Sequence, residues 1–143
     1  MTELMKYALT EASKTQNDVP VGAIIIYKNE IIAQSHNLKE DLNDVTAHAE
    51  IIAIKQAQEK LKSWRLDECE MYVTLEPCPM CAWAILQSRI KSLYFGSYDN
   101  QYGGFSTKLN LKSVANSKIK IYGGIEEEKC DKLLETFFKT IRD

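Results

Sequence analysis

His48, Glu50, Cys78 and Cys81 are the residues of this chain whose types and spacing could do chemistry. They stand in two short stretches, "TAHAEIIAIKQA" from Thr46 and "TLEPCPMCAWAI" from Thr74, and each reads as the mouth of an apolar helix. Imidazole and thiolate together suit zinc, a borderline-soft ion that accepts both. A Cys-x-x-Cys at a helix start lets both sulfurs turn toward one ion. The free N–H groups and positive end of the helix favour the thiolate form. His48 would supply a third ligand if the two helix starts converge. His36, Cys69, Cys130 and Glu50 are the candidates for a fourth. The first three lack the close-spaced partner that a four-ligand structural site normally has. Three protein ligands with water in the fourth position mark a catalytic zinc. Glu50, two residues beyond His48, would then take a proton from a water whose pKa the metal lowers to about 7.

Each half of this pattern has a plainer explanation. Cys-x-x-Cys is also the spacing of a redox pair. Thr46 with Glu50 could form no more than a helix cap, and a histidine at a helix start could be a core residue. A redox pair needs no His-x-Glu upstream, however, and a non-catalytic zinc-binding module would need a fourth protein ligand.

The elements that must position these groups can be read from periodicity. Thr2 to Lys14 places Leu4, Met5, Ala8, Leu9 and Ala12 near a helical repeat. "VGAIIIY" from Val21 is a β-rich run, and a tight turn at Asn29-Glu30 returns it as a second strand over Ile31 to Ser35. Asn37 to Val45 is a polar loop. Thr46 predicts an N-cap for a helix to about Leu61. "EMYVTL" from Glu70 is a third strand. Pro79 suits the first turn of a helix running to about Arg89. "SLYFG" from Ser92 is a fourth strand, Asp99 to Ser117 a long loop with a short helix, Lys118 to Tyr122 a fifth strand, and Glu126 to Ile141 a last helix. Helices alternating with strands after an opening hairpin predict an α/β domain with a mixed sheet between helices. Nothing in 143 residues suggests more than one domain, 1–143.

Composition narrows the setting. The chain is 45% hydrophobic and 27% charged, ordinary for a globular domain that needs no disulfides. Charged residues interrupt the N-terminal segment, so no secretory signal is read there, and no apolar run is long enough to span a membrane. Reduced thiols and a cytoplasmic location are expected. A net charge of −2 argues against broad non-specific nucleic-acid binding. Lys108, Lys112, Lys118 and Lys120 form a local basic run that reads either as a solvated loop or as a small phosphate-facing patch.

His48-Ala49-Glu50 with Pro77-Cys78-Pro79-Met80-Cys81 resembles the signature of the zinc-dependent nucleobase and nucleoside deaminases. Within that family "DVPVGAII", "HNL", "TAHAEIIAI", "SWRL", "MYVTLEPC", "SRI", "YFG" and "LLETFFK" resemble the bacterial tRNA adenosine deaminases. The resemblance implies a three-layer α/β/α sandwich about a central five-stranded mixed sheet, the cytidine deaminase-like fold. It implies bound Zn2+, a homodimer, and a tRNA anticodon stem-loop whose wobble adenosine becomes inosine with release of ammonia. Metal ligands would be His48, Cys78 and Cys81, and Glu50 the catalytic proton shuttle. "PCPMC" is also the arrangement of related guanine deaminases, so a free nucleobase or nucleoside is the rival substrate class. For substrate binding the resemblance points to Asn37, Val21, Ala49 and Asp99. A loop cap, a core valine and a turn aspartate are the plain readings of Asn37, Val21 and Asp99. Phe137, Phe138 and Arg142 are either RNA contacts or the buried face of the last helix. Trp83 is expected at the dimer interface or beside the pocket, and Trp64-Arg65 as a packing element at a helix end.

Overall fold

A computed structural model describes residues 2–142. Its elements are α1 (Thr2–Ala12), β1 (Gly22–Tyr27), β2 (Glu30–His36), α2 (Lys39–Leu42), α3 (Ala49–Leu61), β3 (Cys69–Leu75), α4 (Pro79–Gln87), β4 (Ser92–Ser97), α5 (Leu111–Val114), β5 (Lys120–Tyr122) and α6 (Glu127–Arg142). The strands form one five-stranded sheet in the order β2-β1-β3-β4-β5. β1 runs antiparallel to both β2 and β3, whereas β3, β4 and β5 are parallel. The sheet is therefore mixed, as expected.

Both faces of the sheet are covered, which is why β1 and β4 read as continuous apolar runs. On one side Ala23, Ile25, Met71, Val73, Leu93 and Phe95 pack with Ala53, Ile54 and Ala57 of α3 and Ala82, Ile85 and Leu86 of α4. On the other, Ile24, Ile26, Tyr72 and Tyr94 meet Met5 and Ala8 of α1 and Cys130 of α6. The result is the three-layer α/β/α sandwich. Gly22 sets the α1 layer close to the sheet: a Cβ there would lie 1.9 Å from the Ala8 carbonyl oxygen.

Several boundaries differ from the sequence reading. The hairpin turns at Lys28-Asn29, both in the left-handed region (φ 49° and 67°), and Glu30 already pairs with Tyr27. Two-residue hairpins favour this geometry because it matches the strand twist. The segment read as a plain loop after Asn37 contains the one-turn helix α2. Thr46 does not cap α3. Its N–H and Oγ1 both donate to Asp44 Oδ1, at 2.8 and 2.7 Å, and the N-cap position falls to His48.

Topology gathers the ends that matter along one edge of the sheet. Gly22 pairs with His36, Ala23 with Val73 and Leu75 with Ser97. The start of β1, the end of β2 and the ends of β3 and β4 thus lie side by side. Carboxyl ends of parallel strands, with helix N-termini above them, are where open α/β sheets build their clefts.

Candidate active site

Two helices deliver the chemistry from equivalent positions. His48 is the N-cap of α3 and Cys78 the N-cap of α4, both with extended backbone (φ −77°, ψ 151° and φ −69°, ψ 170°). Neither uses its side chain to cap its own helix. Each backbone carbonyl starts its helix instead, accepting from the N–H of Ile52 and of Ala82. The imidazole and thiol are left free to turn toward each other. Pro79 occupies the first helical position of α4, where its missing N–H costs nothing.

His48 Nδ1 lies 3.7 Å from Cys78 Sγ and 3.4 Å from Cys81 Sγ, and the donor atoms of the three residues all fall within 4.8 Å of one another. With Zn–S of about 2.3 Å and Zn–N of about 2.0 Å, the N–S edge of a tetrahedron is about 3.5 Å. Both N–S separations match that edge, so the His48, Cys78 and Cys81 donors suit a zinc-sized ion. Their electrostatics agree. Cys78 is pulled down to about 4, by hydrogen bonding first to Cys81 and then to His48. Cys81 is pushed up, by Cys78 first and then by burial. Two sulfurs forced to share a proton are a ready place for a divalent cation, which would leave both as thiolates. The other fourth-ligand candidates stand apart from this group: His36 faces Glu11 at 3.2 Å, and Cys69 and Cys130 are buried thiols raised, chiefly by burial, to about 11 and about 12.

Glu50, in the first turn of α3, is 4% exposed. Burial above all pushes its carboxyl up to about 7, against the pull of its own backbone N–H. It lines the same cleft as His48 and Cys78, a cavity of about 450 Å³ that Val21, Asn37 and Asp99 also line. That volume is in the range that holds a drug-sized or nucleoside-sized ligand.

The substrate-side expectations divide. Val21 serves cleft and core together, at 4% exposure. Asn37 lines the cleft while its Oδ1 accepts from the Ala49 N–H at 2.9 Å and its Nδ2 donates to the Val19 carbonyl at 2.8 Å. Asp99 lines it too, with Oδ1 accepting from the N–H groups of Gln101 and Tyr102. Ala49 is different: it is fully buried and does not line the cleft. Its N–H donates to Asn37 Oδ1 and its carbonyl accepts from Ser35 Oγ at 2.6 Å, which fastens the start of α3. Of the aromatic pair on α6, Phe138 is 44% exposed and lines the cleft, whereas Phe137 is half-buried beside it. The side chain of Arg142 lies outside the described residues. Trp83 sits 42% exposed on α4, away from the cleft lining. Trp64 is exposed with Arg65 stacked over its ring at 5.3 Å, and its carbonyl accepts from Gln58 Nε2 of α3 at 3.0 Å. The basic run contributes nothing to the cleft, whose one lining lysine is Lys39.

Sequence reasoning missed Glu76, Tyr98 and Tyr102, all of which line the cleft. Glu76 is visible in "TLEPC", but its partners come from residues 99–107, which no local pattern links to it. The two tyrosines lay in a stretch with no periodicity to place them.

A mixed sheet between helical layers, with a His/Cys/Cys group and a buried carboxylate at one sheet edge, is the arrangement of the cytidine deaminase-like hydrolytic deaminases. The family model for MafB19-like deaminases matches residues 2–142, and this chain belongs to that family. It is similar to the tRNA-specific adenosine deaminase of Bacillus subtilis (strain 168), 41% identical over 96% of this chain and 88% of the relative. It is 43% identical to that of Aquifex aeolicus (strain VF5), over 97% and 94% of the two chains. A solved structure from studies of A-to-I editing by tRNA:A34 deaminases at the wobble position of transfer RNA superposes with a TM-score of 0.90, at 39% identity over 93% of this chain and 99% of the other.

Proposed function

We propose that this chain, as a single deaminase domain, hydrolyses the wobble adenosine of a tRNA anticodon loop to inosine and ammonia, with zinc held by His48, Cys78 and Cys81. The observation that carries the reading is Glu50, a carboxylate buried beside the three-donor group on the wall of a nucleoside-sized cleft. When bound, the zinc supplies the Lewis acidity that activates water near neutral pH.

The protein's own residues do the rest. An anticodon loop presents bases that are already partly unstacked, so one can enter a recessed cleft at modest cost. Val21 walls the base, and Asn37, fastened between α3 and the Val19 carbonyl, retains an amide hydrogen for the nucleoside. Glu50 accepts a proton from the attacking water and passes it to N1 of the adenine. It then carries the second proton to the leaving amino group at C6, so that ammonia departs and the C6 carbonyl remains. At the mouth, Tyr98, Tyr102 and Phe138 offer aromatic faces for flanking bases, and Lys39 a charge for phosphate.

Action on tRNA accords with a cytoplasmic location. The exposed face of α4, with Met80 and Trp83 at 38% and 42%, is apolar surface suited to a second copy in a homodimer. No helix among the described residues is long and apolar enough to cross a membrane. The deciding experiment incubates the zinc-loaded protein with an unmodified anticodon stem-loop bearing a wobble adenosine, with guanine and cytosine in parallel, and reads inosine and ammonia. Inosine in the stem-loop is expected. Ammonia from guanine alone would replace this reading with that of a free-base deaminase.

A further inference from the structure

Glu76 is 1% exposed, at the end of β3 between the sheet and Cys78. Its carboxylate is the centre of a loop. Oε1 accepts from the Asp99 N–H at 3.1 Å and from Thr107 Oγ1. Oε2 accepts from the N–H groups of Phe105 (3.3 Å), Ser106 (2.9 Å) and Thr107 (3.1 Å) and from Ser106 Oγ (3.2 Å). Four backbone donors and two hydroxyls, all from residues 99–107, thus converge on one side chain. Hydrogen bonds to a charged group are stronger than neutral ones, and several dipoles aimed at one buried charge hold it without a counter-ion.

The loop is shaped for this centre. Gly103 passes so close that a Cβ there would lie 2.6 Å from the carboxyl carbon and both oxygens. Gly104 N–H donates to the Pro77 carbonyl at 2.8 Å, and the Asp99 carbonyl accepts from Gly103 N–H at 3.0 Å. Apart from Phe105 and the two glycines, the loop buries little of its own. Yet Asp99, Asn100, Gln101 and Tyr102 form part of the cleft lining.

We propose that Glu76 is a positioning residue, whose buried carboxylate holds residues 99–107 as the substrate-side wall of the cleft. It touches no reacting atom, and its effect falls on how the substrate is held. This rests on the reading of the cleft as the deamination site. A loop anchored by one side chain has two states, folded on the carboxylate or released from it, and the released state loses Tyr102 and Asp99 from the mouth.

The test uses the full zinc-loaded chain and two variants. Glu76→Gln keeps the shape but turns one oxygen into a donor facing donors. Gly103→Ala leaves Glu76 intact and drives a methyl into its carboxylate from the loop side. Hydrogen exchange of the 99–107 amides should accelerate about tenfold or more in both, with α1 and α3 unchanged. KM for the stem-loop should rise about tenfold with kcat changed far less, and zinc content should stay at the wild-type level. Unchanged exchange over 99–107 overturns the proposal, as does a loosened loop with unchanged KM, or loss of zinc as the main effect. If Glu76→Gln fails to fold, Gly103→Ala decides by the same readouts. If the wild-type protein leaves the stem-loop unedited, the functional reading fails, while the exchange measurement still decides whether Glu76 holds the loop.

Discussion

Asn37 caps the helix that carries Glu50: its Oδ1 accepts from the Ala49 N–H at 2.9 Å, while its Nδ2 donates to the Val19 carbonyl at 2.8 Å. His48 holds the N-cap position of α3 but makes no side-chain cap, so Asn37, twelve residues upstream of Ala49, satisfies that helix end. Asn37→Ala should therefore cost about 1 kcal/mol, a fall in Tm of about 4 °C. KM for the stem-loop should rise as well. Asn37→Asp keeps the acceptor and should recover part of the stability. A wild-type melting temperature in Asn37→Ala would refute the capping role.

Glu50→Gln preserves size and burial but removes the group that moves protons. Bound zinc should match wild type by native mass spectrometry, and kcat should fall by about 10³-fold. Retention of substantial turnover would remove Glu50 from the mechanism.

Metal removal should show in activity and stability together. Treatment with a strong chelator should abolish deamination and lower Tm, because binding free energy to a preformed site is also folding free energy. Zinc should restore both, and magnesium neither, since two thiolates and an imidazole suit zinc whereas magnesium takes oxygen ligands. Cys81→Ser should lose the metal even with zinc in excess. A chelated protein that melted like the untreated one would count against a metal at His48, Cys78 and Cys81.

Acid stability should depend on Glu11, which is 5% exposed in α1. Burial pushes its carboxyl up, but Lys14 Nζ at 2.6 Å and His36 Nδ1 at 3.2 Å outweigh burial and hold it below the ordinary 4.5. A depressed folded-state pKa gives stability that is fully present above the unfolded value and is lost as pH falls through the folded one. Denaturant titrations should show stability dropping below about pH 4.5, and Glu11→Gln should flatten that drop while weakening the protein at neutral pH. Parallel profiles for the two proteins would contradict the linkage.

The aromatic rim should read out as substrate affinity. Tyr102→Ala and Phe138→Ala each remove an exposed ring from the cleft mouth. Stacking of about 1–3 kcal/mol per base predicts a KM increase of roughly tenfold for the stem-loop. Zinc content and Tm should not change. Wild-type KM in both variants would place the RNA elsewhere on the surface.

The individual elements were legible from local chemistry. β1 and β3 show as β-rich runs because both sides of each strand are buried, and α4 announces itself by Pro79 after Cys78. His48, Glu50, Cys78 and Cys81 could be singled out because few other structures need those types at that spacing. Caps were less legible. Thr46 is a good N-cap residue by type, but Asp44 binds it locally and the N-cap falls two residues later, at His48. Propensity describes what a residue can do, and neighbours decide which option it takes.

By itself, then, the order of residues determined which segments become strands and helices and which side chains can bind a soft cation, because these depend on contacts within a few positions. Only the tertiary structure decided that His48 and Cys78, thirty residues apart, meet as twin helix caps. It also buried Ala49 in the core, brought Phe138 to the cleft, and closed residues 99–107 around Glu76. Those outcomes depend on sheet register and crossovers, which join atoms that the chain keeps far apart, and no local pattern carries that information.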